Sequence, residues 1–305
     1  MAHAEERETR IIAVGNQKGG VGKTATSIHL AAALGELGRK SLIWDLDSNT
    51  GLTNAFQIPE SIYDGSYEVL LGMKDPDEEF CDPAAFIVDE DEEGIDLPKG
   101  VHVLPAKREL DNLDIAWAQS DRKFEDVKDA LKEPLERLRG KYDYIFLDTG
   151  PNVSTCTLAA YKAAEWFILV SEPEPLSVKA LEAALADIAQ VRRRGNPGLR
   201  LLGIVLTCVT KRRSLDRKMA AWLDENYAGA GEFGVFDDTI SRTTYLPRAQ
   251  ESGRTLFQTK PDHEVCEQFR GLARAMEARM RQEQPAAVAN DAPASSEASG
   301  EVNVG

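Results

Sequence analysis

The residues best suited to chemistry lie in a glycine-rich segment that ends in a lysine and a threonine, Gly15-Asn16-Gln17-Lys18-Gly19-Gly20-Val21-Gly22-Lys23-Thr24. Glycines let the backbone curl until successive N–H groups point into one concavity, which suits a phosphate group. In loops of this pattern the lysine reaches the β- and γ-phosphates of a nucleotide, and the hydroxyl ligates magnesium. The segment therefore predicts a nucleotide-phosphate site that involves Lys23 and Thr24.

The flanking residues supply the context that this motif needs. Arg10–Val14 is a short apolar run typical of a strand, and apolar residues recur at helical spacing from Ile28 to Leu34. A strand, a glycine-rich turn and a helix place a helix N-terminus, with its partial positive charge, against the phosphates. The alternative, a purely structural glycine turn, is disfavoured by the complete motif in this context.

Two further apolar runs end in carboxylates. Ser41–Asp47 contains Asp45 and Asp47, and Tyr142–Asp148 ends in Asp148. Because ligands gather at the carboxyl ends of parallel strands, we expect these side chains to face the phosphates. Asp148 has the pattern of a Walker B carboxylate, which holds the water shell of magnesium. For Asp47 a helix N-cap is the alternative, and the two roles are compatible.

Lys18, in the run Lys18-Gly19-Gly20-Val21-Gly22-Lys23-Thr24, gives the loop a resemblance to the deviant Walker A family, and especially to the ParA-type chromosome and plasmid partitioning ATPases. The segments 48–53, 171–177, 211–215 and 239–253 resemble the family as well, so the resemblance covers about residues 10–282. The chain departs from the family pattern at Ala25, at Ser48, where the family has a proline, at Gly150 and at Ser241.

The resemblance implies a slow ATPase that forms a nucleotide-sandwich homodimer and is stimulated by a ParB-like partner. Lys18 would reach the partner molecule's phosphates, and Asp47 would orient the attacking water. On the residues alone, a solvated loop lysine stays open for Lys18. ATP and Mg²⁺ are the implied cofactors, with metal contacts from Thr24, Asp47 and Asp148. The implied nucleotide contacts are Lys18, Gly19, Gly20, Val21, Gly22, Lys23, Thr24, Ala25 and Thr207.

Charge is distributed unevenly along the 305 residues, whose net charge is −15. Residues 1–165 carry 18 basic and 32 acidic side chains, whereas residues 166–284 carry 18 basic and 16 acidic ones. The overall acidity argues against nonselective coating of nucleic acid, but the second half leaves room for a local basic face. We expect nonspecific DNA contacts from Lys211, Arg212, Arg213, Arg242, Arg248, Lys260, Arg270 and Arg274.

Apolar strands that alternate with helices predict a single α/β domain of the P-loop NTPase kind, a mostly parallel, doubly wound sheet with helices on both faces. Its expected bounds are residues 10–282, after an extension at 1–9 and before a disordered tail at 283–305. The stretch 60–100 is expected to be a short helix near Tyr67–Leu71 and then a solvated acidic excursion. Longer helices are expected over Lys123–Arg139, Val178–Arg194 and Asp262–Arg281.

No apolar run approaches the length of a membrane span, and the N-terminus lacks the apolar core of a secretory signal. The four cysteines lie far apart, as reduced thiols of a cytoplasmic protein would. Three alternatives from the same superfamily remain. They are a MinD-like membrane-positioning ATPase, an iron–sulfur ATPase resembling nitrogenase reductase with Cys156 as a ligand, and a metabolic enzyme that activates a carboxylate.

Overall fold

Parallel strands form the central sheet of the computed structural model, which describes residues 8–60, 64–71, 87–92, 94–119, 129–210, 218, 221–223, 225 and 234–282. In chain order they are β1 (Arg10–Gly15), β2 (Ser41–Leu46), β3 (Val101–Leu104), β4 (Tyr144–Thr149), β5 (Trp166–Ser171) and β6 (Arg200–Leu206). They lie in the order β3-β2-β4-β1-β5-β6, and each neighbouring pair is parallel. The predicted parallel, doubly wound sheet is confirmed.

Helices fill the connections between the strands and also follow the last strand. They are α1 (Lys23–Glu36), α2 (Gly51–Ala55), α3 (Ser66–Leu71), α4 (Leu113–Gln119), α5 (Lys132–Leu138), α6 (Thr155–Ala163), α7 (Pro175–Arg194), α8 (Tyr245–Glu251), α9 (Leu256–Thr259) and α10 (Glu264–Gln282), with a 3-10 turn at Arg108–Asn112. Among the described residues, no helix is long and apolar enough to cross a bilayer.

Both faces of the sheet are covered, because successive residues of each strand enter different apolar clusters. In β1, Ile12 and Val14 pack with α1, α9 and α10, whereas Ile11 and Ala13 pack with residues of α3 to α7. Strands buried on both faces read as continuous apolar runs, which explains why the sequence makes them recognisable. The crossovers bring the ends of β1, β2 and β4 to one edge, where the predicted site residues lie.

Most predicted elements are present with small shifts in their ends. The long helix predicted from Val178 begins at Pro175, because proline fits the first turn of a helix. The last helix, predicted from Asp262, begins at Glu264. Of the helix predicted over Lys123–Arg139, the described part is α5, and residues 120–128 lie outside the described chain.

The described part of the stretch 60–100 is less solvated than expected. The predicted short helix is α3, and the acidic residues 89–92 are exposed. However, Val88 pairs with Val103 at the edge of the sheet, and Ile95 and Leu97 are buried in the apolar cluster on one face. The apolar residues between the charges therefore cover an edge strand, which is a common protection for a sheet edge. The acidic run at 75–79 and the termini at 1–7 and 283–305 lie outside the described residues.

Candidate functional site

The glycine-rich loop connects β1 to α1, as its motif requires. Gly20 and Gly22 have φ angles of +75° and +87°, in the left-handed region that residues with a Cβ rarely adopt. Gly22 is the N-cap of α1, and the first turn of that helix contains Lys23, Thr24 and Ala25. N–H groups at a helix start have no acceptor within the helix, so they are available to an anion.

Lys23 lies across this loop. Its Nζ donates a hydrogen bond of 3.2 Å to the Lys18 carbonyl, and the residue is only 7% exposed. Burial lowers the pKa of the Lys23 ammonium, and the negative charges of Asp148 and Asp47 oppose that shift. A buried ammonium in this position is stabilised by an anionic ligand in the loop.

Two other residues hold the loop in place. The Asn16 side chain, which no sequence pattern singled out as functional, donates from Nδ2 to the Val170 carbonyl and accepts from the Lys18 N–H. The only sign of this role in the sequence is that Asn16 is a polar residue at the start of a glycine-rich loop. Thr207 donates from Oγ1 to the Val21 carbonyl at 2.6 Å. This contact places Thr207 against the loop backbone, while its predicted contact with a nucleotide stays a prediction.

Asp148 is fully buried at the end of β4 and receives two hydroxyl hydrogen bonds. Thr24 Oγ1 donates to one carboxylate oxygen at 2.7 Å, and Ser27 Oγ donates to the other at 2.8 Å. Burial raises the pKa of Asp148 to about 6, against the effect of the two hydroxyls and of Lys23. The Thr24 hydroxyl and a buried carboxylate are oxygen donors of the kind that magnesium prefers, so these residues fit that ion. Ser27 was missed, because one more hydroxyl in a helix carries no motif.

Asp45 and Asp47 have different surroundings. Asp45 was expected to face the phosphates, but it is fully buried and accepts hydrogen bonds from the Asp47 N–H and from the N–H and hydroxyl of Thr53. Burial, followed by the charge of Asp148, raises the pKa of Asp45 to about 7. That expectation is corrected: Asp45 fixes the turn between β2 and α2.

Asp47, which directly follows β2, is partly exposed at this edge. Its Oδ1 accepts from the N–H and the side chain of Asn49, while Thr50 takes the N-cap position of α2. The alternative role of Asp47 as a helix cap is therefore wrong. A Cβ at Gly150 would lie 2.9 Å from Asp47 Oδ1, so the turn after β4 packs directly on this carboxylate.

Lys18 is held by the segment that joins β5 to α7. Its Nζ lies 3.1 Å from a carboxylate oxygen of Glu172, 3.1 Å from one of Glu174 and 3.3 Å from Ser177 Oγ. Burial lowers the pKa of Lys18, but the hydrogen bonds to Glu172 and Glu174 outweigh it, and the pKa is raised overall. Within one molecule, Lys18 is thus an ion-paired side chain and not a simple solvated one.

The predicted DNA-binding cations fall into different groups. Arg242, Arg248 and Lys260 are exposed, and Lys260 and Arg248 lie against the Tyr245 ring, 4.6 and 5.9 Å from its centroid. Arg270 makes a two-pronged ion pair with Glu36 at 2.6 and 2.9 Å, whereas Arg274 on the same helix is exposed. Lys211, Arg212 and Arg213 lie outside the described residues.

Cys156, the candidate cluster ligand of the iron–sulfur alternative, is 5% exposed in α6. Burial is the main cause that raises the pKa of its thiol to about 12. Since the thiolate is the form that ligates metals, this environment fits a structural thiol.

A phosphate loop after the first strand, a buried carboxylate at the end of β4 and a parallel sheet define a P-loop nucleotide-binding protein. A family model described as an AAA domain matches residues 9–201. The chain is 34% identical over 275 residues to the chromosome-partitioning ATPase Soj of Thermus thermophilus, covering 90% of this chain and 98% of Soj. It is 28% identical to the chromosome partitioning protein ParA of Myxococcus xanthus over 268 residues, covering 88% of this chain and 87% of ParA. The chain belongs to the ParA-type family of partitioning ATPases.

Solved structures agree with this fold. A cobyrinic acid a,c-diamide synthase from Mycobacterium smegmatis, with bound ADP and magnesium, has a TM-score of 0.73 at 27% identity, covering 90% of this chain and 97% of that one. The septum site-determining protein MinD of Pyrococcus horikoshii, complexed with Mg-ADP, has a TM-score of 0.63 at 22% identity, covering 87% and 94%. The second likeness concerns the fold alone.

Proposed function

We propose that this chain is an ATP-dependent switch that forms a nucleotide-sandwich homodimer, hydrolyses ATP slowly and positions a cargo such as a replicated chromosome or a plasmid. The single observation that carries the proposal is Lys18, a second lysine on a complete phosphate loop. A ParB-like partner stimulates turnover, and the dimer binds DNA without sequence preference. The protein acts in the cytoplasm, associated with the nucleoid when it is bound to DNA.

The residues at the sheet edge have different roles in ATP binding and hydrolysis. Lys23 and the N–H groups at the start of α1 bind the phosphates, and Thr24 and Asp148 would hold magnesium, directly and through its water shell. The ion, when bound, neutralises charge on the β- and γ-phosphate oxygens. Asp47 orients the attacking water, and Lys18 of the partner molecule stabilises the charge that develops during transfer. Hydrolysis therefore depends on dimerisation.

Two variants test this mechanism. Lys23→Ala leaves phosphate charge uncompensated and should abolish ATP binding in calorimetry. Asp47→Ala should bind ATP, stop hydrolysis and elute as a persistent dimer in sizing chromatography with ATP and magnesium. A Lys23→Ala protein that binds ATP tightly would refute the phosphate role. An Asp47→Ala protein that hydrolyses normally or stays monomeric would refute the role of that carboxylate.

The metabolic alternative is favoured by one observation, the name of the M. smegmatis structural relative. A carboxylate-activating enzyme consumes ATP only when its organic substrate is present. Turnover that responds to DNA and a ParB-like protein, and does not respond to a cobyrinic acid-type carboxylate, distinguishes the switch from the synthase. The MinD-like alternative requires a C-terminal amphipathic helix that carries basic and bulky apolar residues, whereas residues 285–305 are rich in alanine, serine and acidic residues and contain no lysine or arginine.

A further inference from the structure

Glu172 carries a carboxylate that lies between two cations from distant parts of the chain. One oxygen is 3.1 Å from Lys18 Nζ, and the other is 3.4 Å from Arg242 Nη2. The Glu172 side chain is 13% exposed, whereas that of Arg242 is 56% exposed. Burial, followed by the Glu172 carboxylate, raises the pKa of the Cys208 thiol. A single sheltered anion thus joins the phosphate loop to the segment after β6.

Glu174 provides an internal comparison. It lies 3.1 Å from the same Lys18 ammonium, but its side chain is 46% exposed. Among the described residues it has an ion pair with Lys18 and none with Arg242. Water and salt screen such an exposed pair more than a sheltered one, so Glu172 contributes more of the attraction that keeps Lys18 in place.

Two cations that share one carboxylate weaken each other's attraction to it. Each neutralises part of the negative charge that the other experiences, and the two cations repel one another. Removing the charge of Arg242 therefore strengthens the attraction between Glu172 and Lys18. Removing the charge of Glu172 eliminates that attraction and leaves only the direct repulsion between Arg242 and Lys18, which water and salt screen because the Arg242 side chain is 56% exposed.

We propose that Glu172 is a positioning residue that retains Lys18 in its own molecule, and that Arg242 sets the strength of this retention through the shared carboxylate. The inference rests on the proposed function, in which Lys18 has to leave Glu172 to reach the nucleotide of a partner molecule. Retention by Glu172 then opposes dimerisation, and Arg242 relieves part of that opposition.

A set of six proteins tests the coupling. The parent, Glu172→Gln and Glu174→Gln are each prepared with and without Arg242→Gln, and dimerisation is measured by sedimentation equilibrium with magnesium and a non-hydrolysable ATP analogue. We expect Arg242→Gln to raise the dimer dissociation constant about two- to fivefold, as for a partly exposed ion pair, in the parent and in Glu174→Gln. In Glu172→Gln the same change should have a smaller effect, because only the screened repulsion between Arg242 and Lys18 remains. Arg242→Lys keeps the charge and should restore the parent value.

The outcomes separate this inference from the function on which it rests. An equal effect of Arg242→Gln in all three backgrounds, or no effect in the parent, overturns the role of Glu172 while the parent still dimerises. A parent that forms no dimer with the analogue refutes the proposed function and the inference together. Gln is isosteric with Glu, and equal thermal unfolding temperatures confirm that the variants are folded.

Discussion

Ser27 shows how much of the site depends on a residue without a motif. It lies one helical turn after Lys23, fully buried, and donates to the Asp148 oxygen that Thr24 does not contact. If the Thr24 hydroxyl ligated a magnesium ion, the Ser27 hydroxyl would still orient the Asp148 carboxylate. Hydrogen-bond partners of this kind tune metal affinity from outside the set of direct ligands.

Removing the Ser27 hydroxyl should therefore weaken the magnesium-dependent part of nucleotide binding. We expect Ser27→Ala to lower the affinity for ATP with magnesium by about tenfold and to leave the magnesium-free affinity unchanged. Calorimetric titrations with and without magnesium measure both values. Ser27→Thr keeps a hydroxyl and serves as the control; equal magnesium dependence in Ser27→Ala and the parent would contradict the assignment.

His29 fixes the helix that follows the phosphate loop to the layer behind it. Its Nδ1 donates to the Ala25 carbonyl at 2.8 Å, Nε2 accepts from the Leu256 N–H at 3.1 Å, and its ring stacks on Phe269. Complete burial lowers the pKa of His29 to about 4, although the hydrogen bond to Ala25 opposes the shift. The folded protein thus holds a neutral imidazole.

Stability should therefore depend on His29 in acid. Between pH 6.5 and 4 the unfolded chain binds a proton at this residue and the folded chain does not, so the free energy of unfolding falls as the pH decreases. The contribution of His29 over this window is about 3 kcal/mol. Asp45 and Asp148, with raised pKa values of about 7 and 6, act in the opposite direction.

Urea unfolding of the parent and of His29→Gln at several pH values isolates the histidine from these carboxylates. The difference in unfolding free energy between the two proteins should shrink as the pH falls from 6.5 to 4. Two parallel pH profiles would show that His29 does not have the lowered pKa.

At the scale of elements, the turn after β4 determines the position of Asp47. Gly150 packs on this carboxylate, with 2.9 Å between a Cβ at that position and Asp47 Oδ1. A side-chain end can move away at small cost, so a methyl group here displaces the carboxylate and leaves the fold intact.

We expect Gly150→Ala to lower ATP turnover about tenfold while ATP affinity and unfolding temperature stay near those of the parent, since misplacing a catalytic group is more costly to the rate than to stability. Steady-state turnover, calorimetry and thermal unfolding give the three values. Gly198→Ala is the matched control, because its Cβ would have ordinary contacts, the nearest atom being Asn196 Oδ1 at 3.6 Å. Parent-like turnover in Gly150→Ala would show that the turn does not position Asp47.

At the scale of the whole molecule, the exposed cations near Tyr245 are one part of the predicted DNA surface that the fold leaves accessible, and Arg274 on α10 is exposed as well. Arg248 and Lys260 flank that ring, whereas Arg270 is paired with Glu36 and Arg242 with Glu172. In a dimer, two such patches on one body act together at high effective concentration. Phosphate contacts of this kind release counterions, so binding should weaken steeply with salt.

Replacing Arg248 and Lys260 together by glutamate should lower the affinity of the ATP-bound dimer for DNA by at least about tenfold and make its salt dependence shallower. Fluorescence anisotropy with DNA of unrelated sequences at several salt concentrations measures both. Arg193 and Arg194 are both exposed at the C-terminal end of α7. Replacing this pair by glutamate is a control that changes the net charge by the same amount. A loss of affinity as large in the control pair would mean that net charge alone governs binding.

The sequence by itself determined the sheet, the phosphate loop and the Walker B carboxylate. Strands buried on both faces must be apolar throughout, and left-handed turns at Gly20 and Gly22 require glycine, so both leave local patterns. The resemblance carried by Lys18 and its neighbours was enough to identify the family.

Only the tertiary structure decided which polar residues meet. Asp45 and Asp47 are two positions apart in the chain. Asp45 is buried and hydrogen-bonded to Thr53, whereas Asp47 lies beside Gly150. Ser27 and Asp148 are brought together by the register of β4 beside β1, and Glu172, Lys18 and Arg242 by the ends of three chain segments. Hydrogen bonds and ion pairs between residues far apart in the chain have no spacing that a sequence pattern could reveal, because their geometry exists only once the sheet has formed.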